Sequence, residues 1–305
     1  MRKRIASSSG RNGRKRDHIV LIIGAVLLVY LVFAHRPLSQ GRTFVALGSS
    51  PQAGLDPNPL IKDEAYIVGD RTFVFRPDQQ GVTEMSASGE PRWTREFGTL
   101  ITTASIGPLV SAWGLLDGSV QILDGGGRLI EDLKIETKGI DSEYPCIYGV
   151  AISETGDYLA ALYGRNPQYF AVFGKNNQAY DLLYFKRLDK QAVNRQAAAF
   201  SFDGKSVVLQ TADGLALFDV EKKRSAMVHP AYFSGDAELQ ISPFGPQSFA
   251  FLLARGQERF AGSINRGSLE AFFPVEGGSR ELSISGDIMT IRGDGLSQSY
   301  RLGLR

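Results

Sequence analysis

A sequence repeat with a period of 41 to 48 residues runs through most of the chain after residue 60. Three units show it most clearly: GVAISETGDYLAALYG from Gly149, AAAFSFDGKSVVLQTADGLALFDVEKK from Ala197, and ELQISPFGPQSFAFLLARG from Glu238. Each unit has an apolar run ending in Ser, a Gly three residues later, and a second apolar run. A period of this length is typical of solenoids and propellers, because each repeat is one supersecondary unit that stacks on the next.

The repeats align on five positions, Gly107, Ser153, Ser201, Ser242 and Ser285. The intervals between them are 46, 48, 41 and 43 residues, which leaves room for four short strands in each. The segment KSVVLQTADGLALFDV predicts a hairpin across residues 212–214, and helical periodicity is nearly absent. We therefore predict an all-β fold, a β-propeller with six blades over residues 60–305, with seven blades as the alternative.

The two ends of this region each contain an incomplete unit. The last unit, from Glu281, has only about three strands, while RTFVALG at residues 42–48 is a strand-like run with no neighbour in sequence. Together they would complete one blade, which would close the ring and remove exposed strand edges. The alternative is that residues 37–59, which contain QAGLDPNP, form only a linker.

A basic segment followed by an apolar run, IVLIIGAVLLVYLVFA at residues 19–34, opens the chain. Sixteen residues at about 1.5 Å each span roughly 24 Å, and the flanking His18, His35 and Arg36 can reach the membrane interfaces. We predict a basic cytoplasmic tail over residues 1–17 and a transmembrane helix over residues 18–36. A cleaved signal peptide is the alternative, although AHRPLSQG after the run has bulky or charged residues where a peptidase site needs small ones.

The charge distribution predicts the orientation of this helix in the membrane. Residues 1–36 carry a net charge of +7, and the remainder of the chain carries −5. The positive-inside rule then places the N-terminus in the cytoplasm and the C-terminal domain in the periplasm, with the anchor in the inner membrane. A mildly acidic domain has no electrostatic footprint for nucleic acid, so we expect no nucleic-acid partner. The single cysteine permits no internal disulfide, which is ordinary for a bacterial periplasmic protein.

The segments SETGDYLAAL, SFDGKSVVLQ and SPFGPQSFAF resemble the Ser-Pro-Asp-Gly strand-turn-strand units of WD40-like and TolB-like propellers. In the first unit, MSASGEPRWTREFG resembles instead the quinoprotein-type repeat, with Gly89 in the turn and Trp93 as a blade-packing residue. The likeness covers roughly residues 60 to 303. No unit has the Gly-His and Trp-Asp dipeptides of a full WD40 repeat, so the resemblance implies a fold and transfers no catalytic residue.

Candidate catalytic groups are scarce. Of the three histidines, His18 and His35 flank the apolar run, and His229 stands apart in MVHPAY. No His cluster suits zinc, no Ser-His-Asp set is available without His229, and Cys146 lies in an apolar strand-like run. We predict no catalytic, metal or cofactor site and a protein that is not an enzyme. A hydrolase or quinoprotein is the third alternative, because propellers also serve as enzyme scaffolds.

Aromatic residues concentrate between Tyr144 and Phe185, where seven of the eleven tyrosines lie. Exposed aromatic residues near arginine are typical of protein interfaces. We predict a partner-binding surface formed by seven residues, Tyr163, Arg165, Tyr169, Phe170, Tyr180, Tyr184 and Arg187. The alternative is that these aromatics pack within the blade.

The function predicted from the sequence is a membrane-anchored extracytoplasmic propeller that serves as a protein-protein interaction platform in an envelope complex. Its plan is similar to that of the propeller scaffold of outer-membrane protein assembly and the accessory propeller of the Tol system, but a retained anchor points to an inner-membrane partner. The main alternative is a propeller that senses or binds a ligand or carbohydrate.

Overall fold

Six four-stranded antiparallel sheets make up the part of the chain that the structure, a computed structural model, describes. That part comprises residues 46–51, 65–68, 71–177, 179–192, 195–228, 233, 237–276, 278–279, 281–293 and 296–302. All of it falls within one compact unit, Arg42–Arg305. Each sheet forms one blade, and we number the blades 1 to 6 by their order along the chain.

The strands follow one another with short turns, as the period of the repeat predicts. The first strand, β1, is Ala46–Pro51. Blade 1 contains β2 Ala65–Val68, β3 Arg71–Phe75, β4 Gly81–Met85 and β5 Pro91–Glu96. Blade 2 contains β6 Ile101–Ile106, β7 Val110–Leu115, β8 Ser119–Asp124 and β9 Leu129–Lys134. Blade 3 contains β10 Tyr144–Ile152, β11 Tyr158–Arg165, β12 Gln168–Asn176 and β13 Ala179–Leu188.

The remaining blades have the same plan. Blade 4 contains β14 Ala198–Phe200, β15 Ser206–Thr211, β16 Gly214–Asp219 and β17 Arg224–Val228. Blade 5 contains β18 Glu238–Gly245, β19 Ser248–Arg255, β20 Glu258–Asn265 and β21 Ser268–Pro274. Blade 6 contains β22 Glu281–Ser285, β23 Ile288–Gly293 and β24 Leu296–Arg301. A short 3₁₀ helix, Ile135–Lys138, follows β9.

First strands of successive blades lie next to each other. β10 contacts β6, β14 contacts β10, β18 contacts β14, and β22 contacts β18. Within blades 1 to 5 the strand order in space equals the order in sequence. This is the radial plan of a propeller, and the number of sheets in the described residues agrees with the predicted six blades.

Blade 6 takes its fourth strand from the other end of the chain. β1 pairs antiparallel with β24, so that Ala46 lies opposite Tyr300 and Pro51 opposite Leu296. A strand with this role was expected at residues 42–48, within the predicted linker 37–59. Residues 46–48 of that run lie in β1, which continues to Pro51, and residues 42–45 lie outside the described residues.

The Ser-x-x-Gly units form turns between the first and second strands of blades 3 and 4. Oγ of Ser153 accepts a hydrogen bond from the backbone N–H of Tyr158 at 3.0 Å, and Gly156 occupies the left-handed region with φ 77°. Ser201 and Gly204 repeat this arrangement, with φ 67° at the glycine. A serine side chain that stabilises the turn and a glycine that tolerates its positive φ explain the motif.

The equivalent of this turn in blade 5 lies further along the chain than the repeat predicted. Ser242 is inside β18, opposite Ala250, and the chain reverses only after Gly245 at Pro246 and Gln247. The alignment of Ser242 with the turn serines of blades 3 and 4 is therefore wrong by several residues. Pro246 has no backbone N–H for a ladder and suits the turn.

Neighbouring blades bury apolar side chains between them. Between blades 1 and 2, the fully buried Trp113 has its ring centroid 5.7 Å from that of Phe73 and 5.5 Å from that of Phe97. Trp93, in the outer strand of blade 1, packs against Gly127 in the β8–β9 turn of blade 2. Trp93 therefore packs between two blades, as the sequence predicted.

A buried ion cluster also joins blades 1 and 2. Glu84, with 1% of its side chain exposed, accepts hydrogen bonds from Nε and Nη2 of Arg71 at 3.1 and 2.7 Å and from Nη1 of Arg92 at 3.2 Å. Nη1 of Arg71 also donates to the carbonyl of Gly107 in blade 2 at 3.0 Å. Hydrogen bonds and charge from the two guanidinium groups offset the hydration energy that the carboxylate loses on burial.

Each blade has two ends. The end that carries the turn between its second and third strands also carries the connection to the next blade, and we call it the connector end. The opposite end carries the other two turns, and Ala46 at the start of β1 lies there because it is in register with Tyr300 and Met289, beside the β22–β23 turn. No helix in the described residues is long and apolar enough to span a bilayer, and the predicted helix at 18–36 lies outside those residues.

Candidate functional site

A pocket of about 650 Å³ opens at the connector end where blades 2 and 3 meet. Four segments line it: the β7–β8 turn, the start of β10, the β11–β12 turn and the connection after β13. The lining residues are Leu116, Tyr144, Pro145, Cys146, Tyr148, Arg165, Asn166 and Gln191. The size is within the range of pockets that bind small molecules or single side chains.

The first strand of blade 3 supplies the aromatic wall of the pocket. Tyr144, Cys146 and Tyr148 all line the pocket, in a stretch of β10 where the pairing with β11 is irregular. The β7–β8 turn packs closely against this strand at Gly118, whose φ is 83°. A Cβ atom on Gly118 would lie 2.8 Å from Cβ of Pro145, so glycine is required for this approach.

Hydrogen bonds hold the β11–β12 turn in place on the opposite wall. The hydroxyl of Ser142 donates to the carbonyls of Arg165 and Pro167 at 2.7 and 2.9 Å. The backbone N–H of Asn166 donates to Oε1 of Gln191 at 3.0 Å, and its Nδ2 donates to the carboxylate of Glu143. The guanidinium of Arg165 is therefore presented from a fixed backbone.

Cys146 and the two tyrosines of the pocket are neutral near pH 7, because the pKa of each is raised. Burial raises the pKa of the Cys146 thiol to about 11, so the sulfur is protonated and lacks the thiolate that nucleophilic chemistry needs. Burial also raises the pKa of Tyr148. A hydrogen bond to Glu143 raises the pKa of Tyr144. The pocket thus contains two phenols, a thiol and one guanidinium.

Exposed apolar side chains extend the pocket along the connector end toward blade 1. Tyr144 is 57% exposed, Leu116 45% and Leu100 36%. Leu100 and Leu116 are direct neighbours, because the backbone N–H of Leu116 donates to the carbonyl of Leu100 at 2.9 Å. These three large side chains form an exposed apolar rim beside the pocket.

The residues that sequence analysis proposed for partner binding do not form one exposed surface. Tyr163, Phe170 and Tyr180 are each only 1% exposed, so their expected exposure is wrong. Tyr163 and Tyr180 belong to the core between blades 2 and 3, whereas Phe170 belongs to the core between blades 3 and 4. The hydroxyl of Tyr180 donates to the carbonyl of Gly156.

The other members of that set occupy three different environments. Tyr184 is half-buried, with its ring centroid 4.5 Å from that of Phe218. Tyr169 is half-buried beside Phe185, and Arg187 is exposed opposite Tyr169 on the outer strand. Arg165 alone of the seven lines the pocket. Whether any of these residues binds a partner stays a prediction.

The pocket residues other than Arg165 were missed because they come from separated segments of the chain. The excess of tyrosine in blade 3 was a usable signal, since Tyr144 and Tyr148 belong to it, but the sequence does not distinguish them from the buried tyrosines. Among the described residues, no group of three His, Cys, Asp or Glu side chains is placed to hold a metal ion. His229 lies outside those residues.

Comparisons with known proteins give one family and a set of similar folds. A family model described as beta-propeller protein matches residues 57–245. No curated protein matches the sequence. The structure is similar to that of BamB from Moraxella catarrhalis, with 14% identity, a TM-score of 0.51, and coverage of 79% of this chain and 70% of that one. It is also similar to the computationally designed Ika8 protein, with 12% identity, a TM-score of 0.48, and coverage of 78% and 82%.

Proposed function

The chain belongs to the beta-propeller protein family, and on that premise we propose that it is a membrane-anchored extracytoplasmic propeller that acts as a protein-protein interaction platform in an envelope complex. The observation that carries this proposal is the apolar rim of the connector end, formed by Leu100, Leu116 and Tyr144 around a pocket that contains Arg165. Aromatic residues and arginine around a concave centre are the composition favoured at protein interfaces.

One feature of the sequence supports the anchored arrangement. The apolar run at 19–34 lies behind a basic segment, which favours a retained inner-membrane helix with a cytoplasmic N-terminus and a periplasmic propeller.

Binding, rather than catalysis, suits the chemistry of the pocket. Its thiol is protonated at neutral pH, and its polar side chains are those that orient a bound group by hydrogen bonds. An adjacent apolar rim adds contact area that a protein partner can cover. The fold by itself does not decide function, so the proposal depends on this site.

Site-specific photocrosslinking in cells tests the platform function. A benzophenone amino acid placed at Leu116 or Tyr144 should give one discrete crosslinked product of high yield, because both side chains are exposed at the connector end. The matched controls are Leu109 and Phe202, which are 63% and 52% exposed at the opposite end of their blades. Equal products from all four positions, or none from Leu116 and Tyr144, would contradict the proposal.

The pocket itself favours a second candidate, a propeller that binds a small polar ligand such as a carbohydrate. Tyr144 and Tyr148 offer ring faces, and Asn166 and Gln191 offer amide groups in a cavity of about 650 Å³. Native mass spectrometry of the protein purified in mild detergent separates the two candidates. A bound small molecule that is lost on changing Tyr148 to Ala would favour the ligand-binding function.

A further inference from the structure

Some polar groups of the pocket already make hydrogen bonds within the protein, and others do not. The carboxylate of Glu143 at the rim is hydrogen-bonded to Nδ2 of Asn166 and to the hydroxyl of Tyr144. Oε1 of Gln191 is engaged by the backbone N–H of Asn166 at 3.0 Å. Two side-chain acceptors at this site, the carboxylate of Glu143 and Oε1 of Gln191, therefore already have donors from the protein.

Three donors of the pocket have no such partners. Within the described part of the chain, the guanidinium of Arg165, the hydroxyl of Tyr148 and Nε2 of Gln191 make no hydrogen bond or ion pair, although all three residues line the pocket. Arg165 lies opposite Tyr144 in the β10–β11 register. Arg165, Tyr148 and Gln191 therefore face one cavity, in which a single bound group can meet more than one of them.

We infer that the pocket receives the side-chain carboxylate of an acidic residue in an extended segment of the partner protein, with Arg165 as its anchor. This rests on the proposed platform function and names the chemistry of the partner. A carboxylate is an acceptor with no donor of its own, and a guanidinium matches it with two parallel hydrogen bonds. The hydroxyl of Tyr148 and the amide of Gln191 supply further donors at the same place.

A polypeptide fits this site better than a free anion because of the surface around it. Leu116 and Leu100 continue from the pocket as exposed apolar side chains, which a segment with an apolar residue near its acidic one would cover. Among the described lining residues Arg165 supplies the one guanidinium, and the nearby carboxylate of Glu143 is already hydrogen-bonded to Asn166, so the match to an acidic residue depends on Arg165. The chain after residue 36 carries a net negative charge, so the domain as a whole does not attract anions.

A peptide array tests this inference with the full-length protein in detergent. The probes are short peptides, N-acetylated and C-terminally amidated, each synthesised together with a copy in which Asp and Glu are replaced by Asn and Gln. Peptides bound by the wild-type protein should lose affinity about tenfold or more in the amide copy, as expected for a charge-assisted hydrogen bond. Fluorescence anisotropy on the bound peptides gives the ratio.

Three variants connect the preference to one residue. R165Q should remove the preference for acidic peptides, and R165K should retain part of it, because lysine keeps the charge but lacks the planar fork. R187Q is the matched control, since Arg187 is exposed on the same blade but does not line the pocket. All three variants should keep the wild-type unfolding temperature, because the changed side chains are exposed.

Several results would overturn the inference. These are an array without bound peptides, bound peptides that do not distinguish carboxylates from amides, or an R165Q variant that keeps the preference. Any of them would leave the platform function standing if Leu116 and Tyr144 still give their crosslinked product. Loss of that product would instead contradict the platform function.

Discussion

A Cβ atom on Gly127 would lie 2.6 Å from Cε3 of Trp93, although the two residues belong to different blades. The β8–β9 turn of blade 2 thus approaches the indole as closely as a residue without a side chain permits. Trp93 is the residue that sequence analysis assigned to blade packing, and Gly127 is its counterpart on the next blade. The pair defines how blades 1 and 2 contact each other at their outer strands.

Changing Gly127 to Ala should therefore destabilise the propeller more than the same change at an open turn. Gly98 is the matched control, because it has the same φ of 76° and nothing within 4 Å of its Cβ position. G98A should cost about 1–2 kcal/mol for the positive φ alone. G127A should cost a further 1–3 kcal/mol or so for overpacking against Trp93. Equal losses in urea unfolding would show that the indole moves aside.

The buried carboxylate of Glu84 should make stability depend on acid pH. Burial alone would raise the pKa of Glu84, but hydrogen bonds and charge from Arg71, together with Arg92, outweigh that effect and lower it. A lowered pKa contributes stability above the unfolded value of about 4.3, and the contribution disappears as the pH falls through the folded value. The free energy of unfolding should thus fall below about pH 4 in the wild type.

E84Q tests this assignment at neutral pH. The change takes the charged partner away from Arg71, whose side chain is 14% exposed, and should cost about 1–3 kcal/mol. E96Q is the control, because Glu96 is 70% exposed in its ion pair with Arg76 and should change stability by less than about 1 kcal/mol. An E84Q protein as stable as wild type at pH 7 would contradict the role given to the cluster.

The tyrosines of blade 3 should separate into structural and exposed residues. Replacing Tyr163 or Tyr180 with Ala removes a side chain that is 1% exposed and should cost about 3–5 kcal/mol. Replacing Tyr144, which is 57% exposed, should change the free energy of unfolding by no more than about 0.5 kcal/mol. A stable Tyr163→Ala protein that no longer captures its partner would restore the original assignment of Tyr163 to the interface.

The sequence predicted the plan of the fold better than its exposed surface. The spacing of Ser153 and Ser201 located two turns correctly because Ser and Gly are chemically required there. The same alignment failed at Ser242, since Pro246 and Gln247 form a different turn. Exposure was harder to predict because a blade buries both of its faces against neighbouring blades. In a sheet with one buried face, alternating apolar and polar residues show which side chains are buried. A blade lacks that alternation, so the sequence does not distinguish the buried Tyr163 from the exposed Tyr144.

Removal of β1 should weaken the domain. A chain that begins at residue 60 lacks the strand that pairs with β24, and its exposed edge should lower the unfolding temperature or promote aggregation. A chain that begins at residue 42 retains β1 and serves as the control. Identical unfolding temperatures for the two truncated proteins would show that β1 contributes only marginally to stability.

The proposed anchor predicts the location of the C-terminus. Alkaline phosphatase fused after Arg305 should be active, and green fluorescent protein at the same position should be dark after export by the general secretory route. An N-terminal tag should stay with the full-length protein in the membrane fraction if residues 18–36 are retained. A fluorescent fusion would reverse the orientation, and loss of the tag would indicate cleavage.

The pairing of Ala46 with Tyr300 also fixes an order of events during synthesis. β1 is the first of the described strands to be made, and its partner β24 is the last, so blade 6 cannot assemble while the ribosome is still translating the blades between them. Contacts between such distant parts of a chain also form slowly. A growing chain therefore presents β1 without its partner strand until β24 has been translated.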